Sequence, residues 1–553
     1  MNLQKTTLFS LLITVFMFLT SCAIEEKKRG VASKDELYVY LDSLEKCYES
    51  ACGNLALASW NYSTSEKPSD IYAARTKLAE IFQDTGARNI ITEWRNRSGS
   101  LADKQLTRRL ELWHRIFIGA EFENDGKISA VQNNLWKKFS GGKFVFDNKM
   151  VLFTEVTAKL KEEKNGLKRK KLSRLYLDES AGLRAGLVDL AMLRNNKALA
   201  HGFPNYYSLV LHLQAIDENW LIKMLNSLED LTRAEYEKQL AAAKKRYRIK
   251  EPGPWDIEFI RKEADAIPAK YFPADSILKT IHRFADSIGF VPDSLHYKEI
   301  INPNSSSSLS SCINIPNDTR VLIKPETGIY PYSVSFSEFG NTLHGRFTNV
   351  EYPVLKGYNW IQGNYSPAYE SGMAQLFGEF VSDTLWLKIY TKAKEKEIRQ
   401  HIQKREASDL FRLRILLKDF FTEYEIYKNP GIDVDSLDRA MSKKYLLIPI
   451  DSENGNSFSL PQSYITRPLS YHVLIIRDMI SAQMHEALSS KFGNRMYLNR
   501  MVARWMIDHL YSSGETLEWN ERIRNATGKS VEPGALLRKI GIEQSNLITK
   551  EDN

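Results

Sequence analysis

Ser335-Phe336-Ser337-Glu338-Phe339-Gly340-Asn341-Thr342-Leu343-His344 is the stretch on which the reading of this chain turns. Upstream of it lie a serine-rich loop, Asn302 to Ser311, and two strand-like segments, Cys312-Ile313-Asn314-Ile315 and Arg320-Val321-Leu322-Ile323. Pro325 and Gly328 then turn the chain into a helix expected to start near Pro331 to Ser333. On that helix Ser337 and Asn341 are four apart and share a face, with Glu338 between them. His344 lies six residues beyond Glu338, about 120° round an ideal helix, so the two cannot chelate one ion together. A second segment follows, Asn364-Tyr365-Ser366-Pro367-Ala368-Tyr369-Glu370-Ser371-Gly372-Met373-Ala374, also read as a helix.

A small sheet leading into a helix is where zinc peptidases of the gluzincin type keep their active site. They bind zinc through H-E-x-x-H on one helix and a glutamate on a second. Two histidines four apart reach one ion, and the glutamate between them polarises the zinc-bound water as general base. The frame H-E-F-G-H-x-L-H is matched here by Glu338, Phe339, Gly340, Leu343 and His344, but its ligand positions carry Ser337 and Asn341. The second segment resembles N-P-x-F/Y-x-E-[GA]-x-[AG], whose glutamate is the third ligand; that position is Ser371. Glu370 is its neighbour but points about 100° away on an ideal helix.

On these motifs the chain resembles the peptidyl-dipeptidase A, or angiotensin-converting-enzyme-like, family. Further stretches carry the resemblance over roughly residues 70–540: Arg194-Asn195-Asn196-Lys197-Ala198 with Gly202-Phe203-Pro204-Asn205-Tyr206, the segment from Tyr471 to His485-Glu486-Ala487-Leu488, then Trp519, Thr527-Gly528 and Leu536-Leu537. The resemblance also implies substrate-side groups. Counted back from His485, the family's oxyanion-stabilising histidine and tyrosine fall at Tyr464 and Leu474, and its carboxylate-binding lysine at Gln462; a second family tyrosine is kept as Tyr471. Oxyanion donors and carboxylate anchor would thus be lost along with the metal.

Zinc is the cofactor the family implies, and the ligands for it are absent. Serine hydroxyl and asparagine amide oxygens are weak donors to zinc, which prefers imidazole, thiolate and carboxylate. The ten histidines contain no pair at four-residue spacing. No cofactor is therefore expected. Glu338, without a metal-bound water of lowered pKa to act on, is read as a relic or ligand-contacting group in the general-base position. His344 is read as a packing histidine. Tyr358, Trp360 and Tyr365, between the two motif helices, line a cleft or pack in the core.

The rest of the chain fits a mainly α protein. Segments near 68–95, 101–121, 147–162, 171–200, 217–248 and 372–425 carry apolar residues at three- and four-residue spacing. Ser33-Lys34-Asp35-Glu36 has the form of a capping box. The 553 residues are expected to form two helical halves around a deep cleft with a small β-sheet, as one domain from 34 to 553. The formal charge of +8 is spread over amphipathic segments, so no nucleic-acid partner is expected. Lys5 precedes an apolar run, Leu8 to Leu19, too short to span a bilayer, and Leu19-Thr20-Ser21-Cys22 resembles a bacterial lipobox. Residues 1–21 are thus expected to be a signal peptide and 22–33 a lipidated cysteine and tether, with the lipid on Cys22 holding the chain to the outer membrane. Cys47 and Cys52, five apart on different helix faces, are poorly placed to pair, and Cys47, Cys52 and Cys312 are expected to be idle thiols. The functional expectation is a pseudo-peptidase that binds a peptide or protein partner without hydrolysis. The alternatives are an active metallopeptidase with substituted ligands and a structural subunit of an envelope complex.

Overall fold

The computed structural model describes residues 31–64, 70–100, 102–262, 266–291, 297–450, 456–459 and 461–542. The expected signal peptide, Cys22 and most of the tether lie outside the described residues. Helix α1 (Lys34–Thr64) opens the described chain. The capping box forms as expected: the Glu36 amide donates to Ser33 Oγ at 3.2 Å, and the Ser33 amide donates to Glu36 Oε2 at 3.2 Å. The elements that position the site follow in order: α2 (Lys104–Glu123), a hairpin of β1 (Lys143–Phe146) and β2 (Lys149–Leu152), α3 (Glu218–Tyr247), strands β3 (Lys298–Ile301), β4 (Leu309–Asn314) and β5 (Asp318–Ile323), then α4 (Ile329–Phe347), α5 (Pro367–Phe380), α6 (Glu395–Lys428), α7 (Tyr471–Phe492) and α8 (Trp519–Thr527). No helix among the described residues is long and apolar enough to cross a membrane.

The mainly α architecture with a small sheet is observed. In the sheet β5 is central, with β3 parallel and β4 antiparallel to it, and Leu309 opposite Leu322. Its strands start earlier than the expected segments, because pairing with β5 draws Leu309 to Ser311 out of the serine-rich loop. One face of β4 packs on α1 and the other on α4. The approach to α4 needs Gly345, where a Cβ would sit 2.4 Å from the Cys312 sulfur.

The expected helix across 147–162 is corrected. Its first part is the β1–β2 hairpin and only Val156–Glu162 is α-helical. Asp147 and Asn148 both take positive φ, 47° and 61°, the conformation of a tight two-residue hairpin turn. The long helical stretch 372–425 is likewise interrupted: α5 stops at Phe380, and Asp383 caps a short helix, Thr384–Tyr390, before α6 begins. Cys52 and Cys312 are free thiols.

Two cores form. A smaller one joins α1 and α2 through Leu41, Tyr48, Trp113 and Phe117, with Val354 and Tyr358 closing it. The larger one contains α4 to α7, with Phe336, Phe339, Phe377 and Ile480 among its buried residues. The motif helices α4 and α5 lie against each other, and α5 lies also on α7. The site sits where these two cores meet.

Candidate functional site

Helix α4 buries Phe336, Phe339 and Leu343 at three- and four-residue spacing, which leaves Ser337, Glu338, Asn341 and His344 half-buried at its edge. Helix α5 begins at Pro367, with Ser366 as its N-cap; the Tyr369 amide donates to Ser366 Oγ at 3.3 Å. A recess of about 140 Å³ opens beside the pair. It is lined from α1 by Trp60, from β4 by Ser310 and Cys312, from α4 by Asn341 and His344, from the connecting loop by Tyr358 and Trp360, and from α5 by Glu370.

The polar groups at the ligand positions are already engaged. Asn341 donates its amide to Ser310 Oγ at 3.0 Å, and Ser310 donates its hydroxyl to Glu338 Oε2 at 2.6 Å. The Ser371 hydroxyl turns back to the carbonyl of Pro367, one turn earlier in its own helix. Ser337 Oγ sits where a Cβ on Gly378 would be 2.2 Å away, so this serine fills the close approach of α4 to α5. The donor set is therefore two hydroxyls and one amide, with Asn341 and Ser371 bonded within the protein and Ser337 packed against α5, and it does not fit zinc. Among the described residues no group of three or more histidines, cysteines, aspartates or glutamates is placed to hold a metal ion.

Glu370, and not Ser371, lines the recess. Asn359 donates to Glu370 Oε1 at 2.8 Å. Burial pushes the Glu370 carboxyl up from 4.5 to about 7; the Asn359 bond opposes this, and the charges of Glu515 and Glu338 add to it. Burial also raises Glu338, against the bonds from Ser310. His344 is driven down to about 3 by burial and by the nearby Arg522 guanidinium, so its imidazole is neutral. Its ring meets Tyr369 and Tyr511 at 5.9 and 5.6 Å between centroids, which agrees with a packing histidine, yet its buried Nε2 has no hydrogen-bond partner. Burial, with Glu370 and Asp318 nearby, raises the Cys312 thiol to about 12, which leaves it protonated.

Tyr358, Trp360 and Tyr365 divide between the two expected roles. Trp360 lines the recess. Tyr358 lines it too, but its hydroxyl is tied into the smaller core, donating to Glu49 at 3.0 Å and accepting from the Ile315 amide at 3.1 Å. Tyr365 is half-buried and does not line the recess.

The substrate-side positions are not gathered at this recess. Tyr464 is buried and donates its hydroxyl to the Asp419 carbonyl at 3.1 Å, and Tyr471 is buried with its hydroxyl 2.6 Å from Ser463 Oγ. Leu474 packs against the larger core. Gln462 lines a different and larger cavity, of about 1150 Å³, together with Trp255, Arg169 and Lys418. The two cavities share no lining residue. Sequence reading missed Trp60 and Cys312 as parts of the recess, and Ser310 as the link between Asn341 and Glu338. The serine-rich loop before the strands was the one signal for Ser310; nothing in the sequence links Trp60 to residues almost 300 positions away.

No family model and no curated relative matches the sequence. Solved structures do resemble it. Metallocarboxypeptidase 1 of Trypanosoma cruzi superposes with a TM-score of 0.61 at 13% identity, over 91% of this chain and 99% of that one. An M32 carboxypeptidase from Deinococcus radiodurans R1 gives a TM-score of 0.59 at 11% identity, over 91% and 98%. These neighbours are carboxypeptidases and not peptidyl-dipeptidases, so they do not support the finer family resemblance drawn from the motifs. At such low identity the likeness concerns the fold alone: this chain has the mainly helical fold of a metallopeptidase.

Proposed function

We propose that this protein is a pseudo-peptidase of the bacterial envelope, held to the outer membrane by a lipid on Cys22, which binds a peptide or protein partner beside α4 and α5 without metal-dependent hydrolysis. The supporting observation is the state of the three ligand positions. Ser337, Asn341 and Ser371 offer neutral oxygen donors; Asn341 and Ser371 are hydrogen-bonded within the protein, and Ser337 is packed against Gly378 of α5. The recess beside them persists, and binding needs shape and polar contacts but no metal. The oxyanion positions point the same way, since Tyr464 is buried and already hydrogen-bonded and Leu474 has no donor. The peptidyl-dipeptidase-like ancestry belongs to this proposal and rests on the motif residues.

The test is elemental analysis of purified protein for bound metal, alongside cleavage of a mixed peptide library with and without chelator. The expected result is no stoichiometric zinc and no chelator-sensitive cleavage. Stoichiometric zinc with chelator-sensitive cleavage would instead establish a metallopeptidase with substituted ligands. The combined variant Ser337→His, Asn341→His, Ser371→Glu should gain zinc if the ligand register is right. A folded variant that takes up none would place the third ligand at another position, Glu370 first, since it already faces Asn341 across the recess.

A further inference from the structure

The recess has an electrostatic imbalance: Glu370 lines it, and Glu338 lies behind Ser310, which lines it. Glu338 and Glu370 receive hydrogen bonds from a hydroxyl and an amide only, and among the described residues neither has a lysine, arginine or histidine nitrogen within 4.0 Å. The nearby cations are committed elsewhere. Lys356, which also lines the recess, is held by Glu49 at 2.6 Å, and Arg522 is held by Glu515 at 2.7 Å. Half-buried carboxylates are costly unless a cation or several donors meet them. Elsewhere in this chain buried carboxylates do meet cations, as Glu45 meets Arg109 at 2.9 Å and Asp256 meets Arg169 at 2.7 Å.

Two further features of the recess concern a ligand. Its wall includes the Trp360 ring, over which no lysine or arginine among the described residues lies, whereas Trp60 already has Arg320 over it at 5.8 Å. Its floor includes His344, whose Nε2 is buried without a partner. A cavity with a carboxylate that no cation meets, an indole with no cation over it and an unpartnered ring nitrogen is suited to a small hydrogen-bond-rich cation.

We propose that the recess binds the protonated primary amine of a peptide ligand, held by Glu370 against Trp360, with the Glu338 charge reaching it through Ser310. This rests on the peptide-binding reading above and adds which group of the peptide is seized. The amine can come from the peptide's N-terminus or from a lysine side chain, and both offer three N–H donors on a compact charge. An ammonium would supply the positive charge that the carboxylates lack, without the fixed ligand geometry that a zinc ion demands.

The test uses the full chain and three matched synthetic peptide libraries: free N-terminus without lysine, acetylated N-terminus with one internal lysine, and acetylated without lysine. Binding is measured by fluorescence anisotropy in the presence of chelator. The expected result is that one amine-bearing library binds roughly ten-fold or more tighter than the acetylated lysine-free one. Glu370→Gln should remove most of that preference and Glu338→Gln should weaken it, with circular dichroism and thermal unfolding showing that each variant is folded. The library that keeps the preference identifies the source of the amine. Equal binding of all three libraries overturns this inference and leaves peptide binding standing, and so does an amine preference untouched by either variant. Binding by none of them overturns both.

Discussion

Two charged regions of this molecule are built on opposite principles. Where α6 crosses α3, the Arg414 side chain is fully buried and its guanidinium is saturated. It donates to Glu229 Oε1 at 2.9 Å, to the Glu229 carbonyl at 2.9 Å, to Thr232 Oγ1 at 3.1 Å and to the carbonyls of Tyr445 and Lys444 at 2.6 and 3.3 Å. Beside α4 and α5, Glu338 and Glu370 accept from neutral donors only, and among the described residues no cation lies within 4.0 Å of either. The first arrangement repays the cost of burying charge inside the fold. The second leaves that cost unpaid, and an unpaid charge in a cavity is what a binding site keeps and a structural core does not.

The largest effect expected from this contrast is at Arg414. Arg414→Ala should cost about 3 kcal/mol in urea unfolding, because it strips Glu229 of its buried partner and takes a donor from four further acceptors. Arg233, which also pairs with Glu229 at 2.6 Å, keeps the loss at the lower end. A change near zero would mean that the saturated network does little for stability, and the contrast would break.

The next effect is a dependence on pH. Burial raises Glu370 from 4.5 to about 7, so between those values the folded chain keeps a proton that the unfolded chain has lost. Stability from this group is full below about pH 4.5, falls as pH rises to about 7, and is flat beyond. Glu370→Gln should flatten that segment of the curve relative to the wild type in unfolding experiments across pH 4 to 8. Parallel curves for the two proteins would show that the carboxyl is not held in an unfavourable site.

The smallest effect sharpens the comparison. Glu338→Gln should change stability by less than about 1 kcal/mol, or raise it slightly, since it removes a charge that no cation meets and keeps a group able to accept from Ser310. A loss as large as that at Arg414 would show that Glu338 is a structural anchor and not a ligand-facing group.

Much of this was legible in the sequence. The capping box at Ser33–Glu36, the strands before α4, and α4 itself follow from local patterns that fold where they stand. The second half of the hairpin, from 147 to 152, was read as the start of a helix because its apolar residues suit either spacing over so short a run; the Asp147-Asn148 pair between two apolar segments was the available turn signal. The continuous reading of 372–425 overlooked Asp383, which ends one helix and caps the next. At the site, Ser371 was assigned by motif register, yet the side chain that reaches the recess is Glu370, because it is long enough to meet Asn359 while the serine hydroxyl closes on its own helix.

The sequence by itself determined the helical class, the helix that carries Glu338, and the loss of zinc-type donors at Ser337 and Asn341, because these depend on residue chemistry and on spacing along one element. Only the tertiary structure decided that Trp60, Ser310, Cys312, Trp360 and Glu370 share one recess while Gln462 belongs to another cavity. The reason is that α1, the sheet and α5 are brought together by burial of apolar surface, which is non-directional and leaves no local mark on which distant polar residues will face each other.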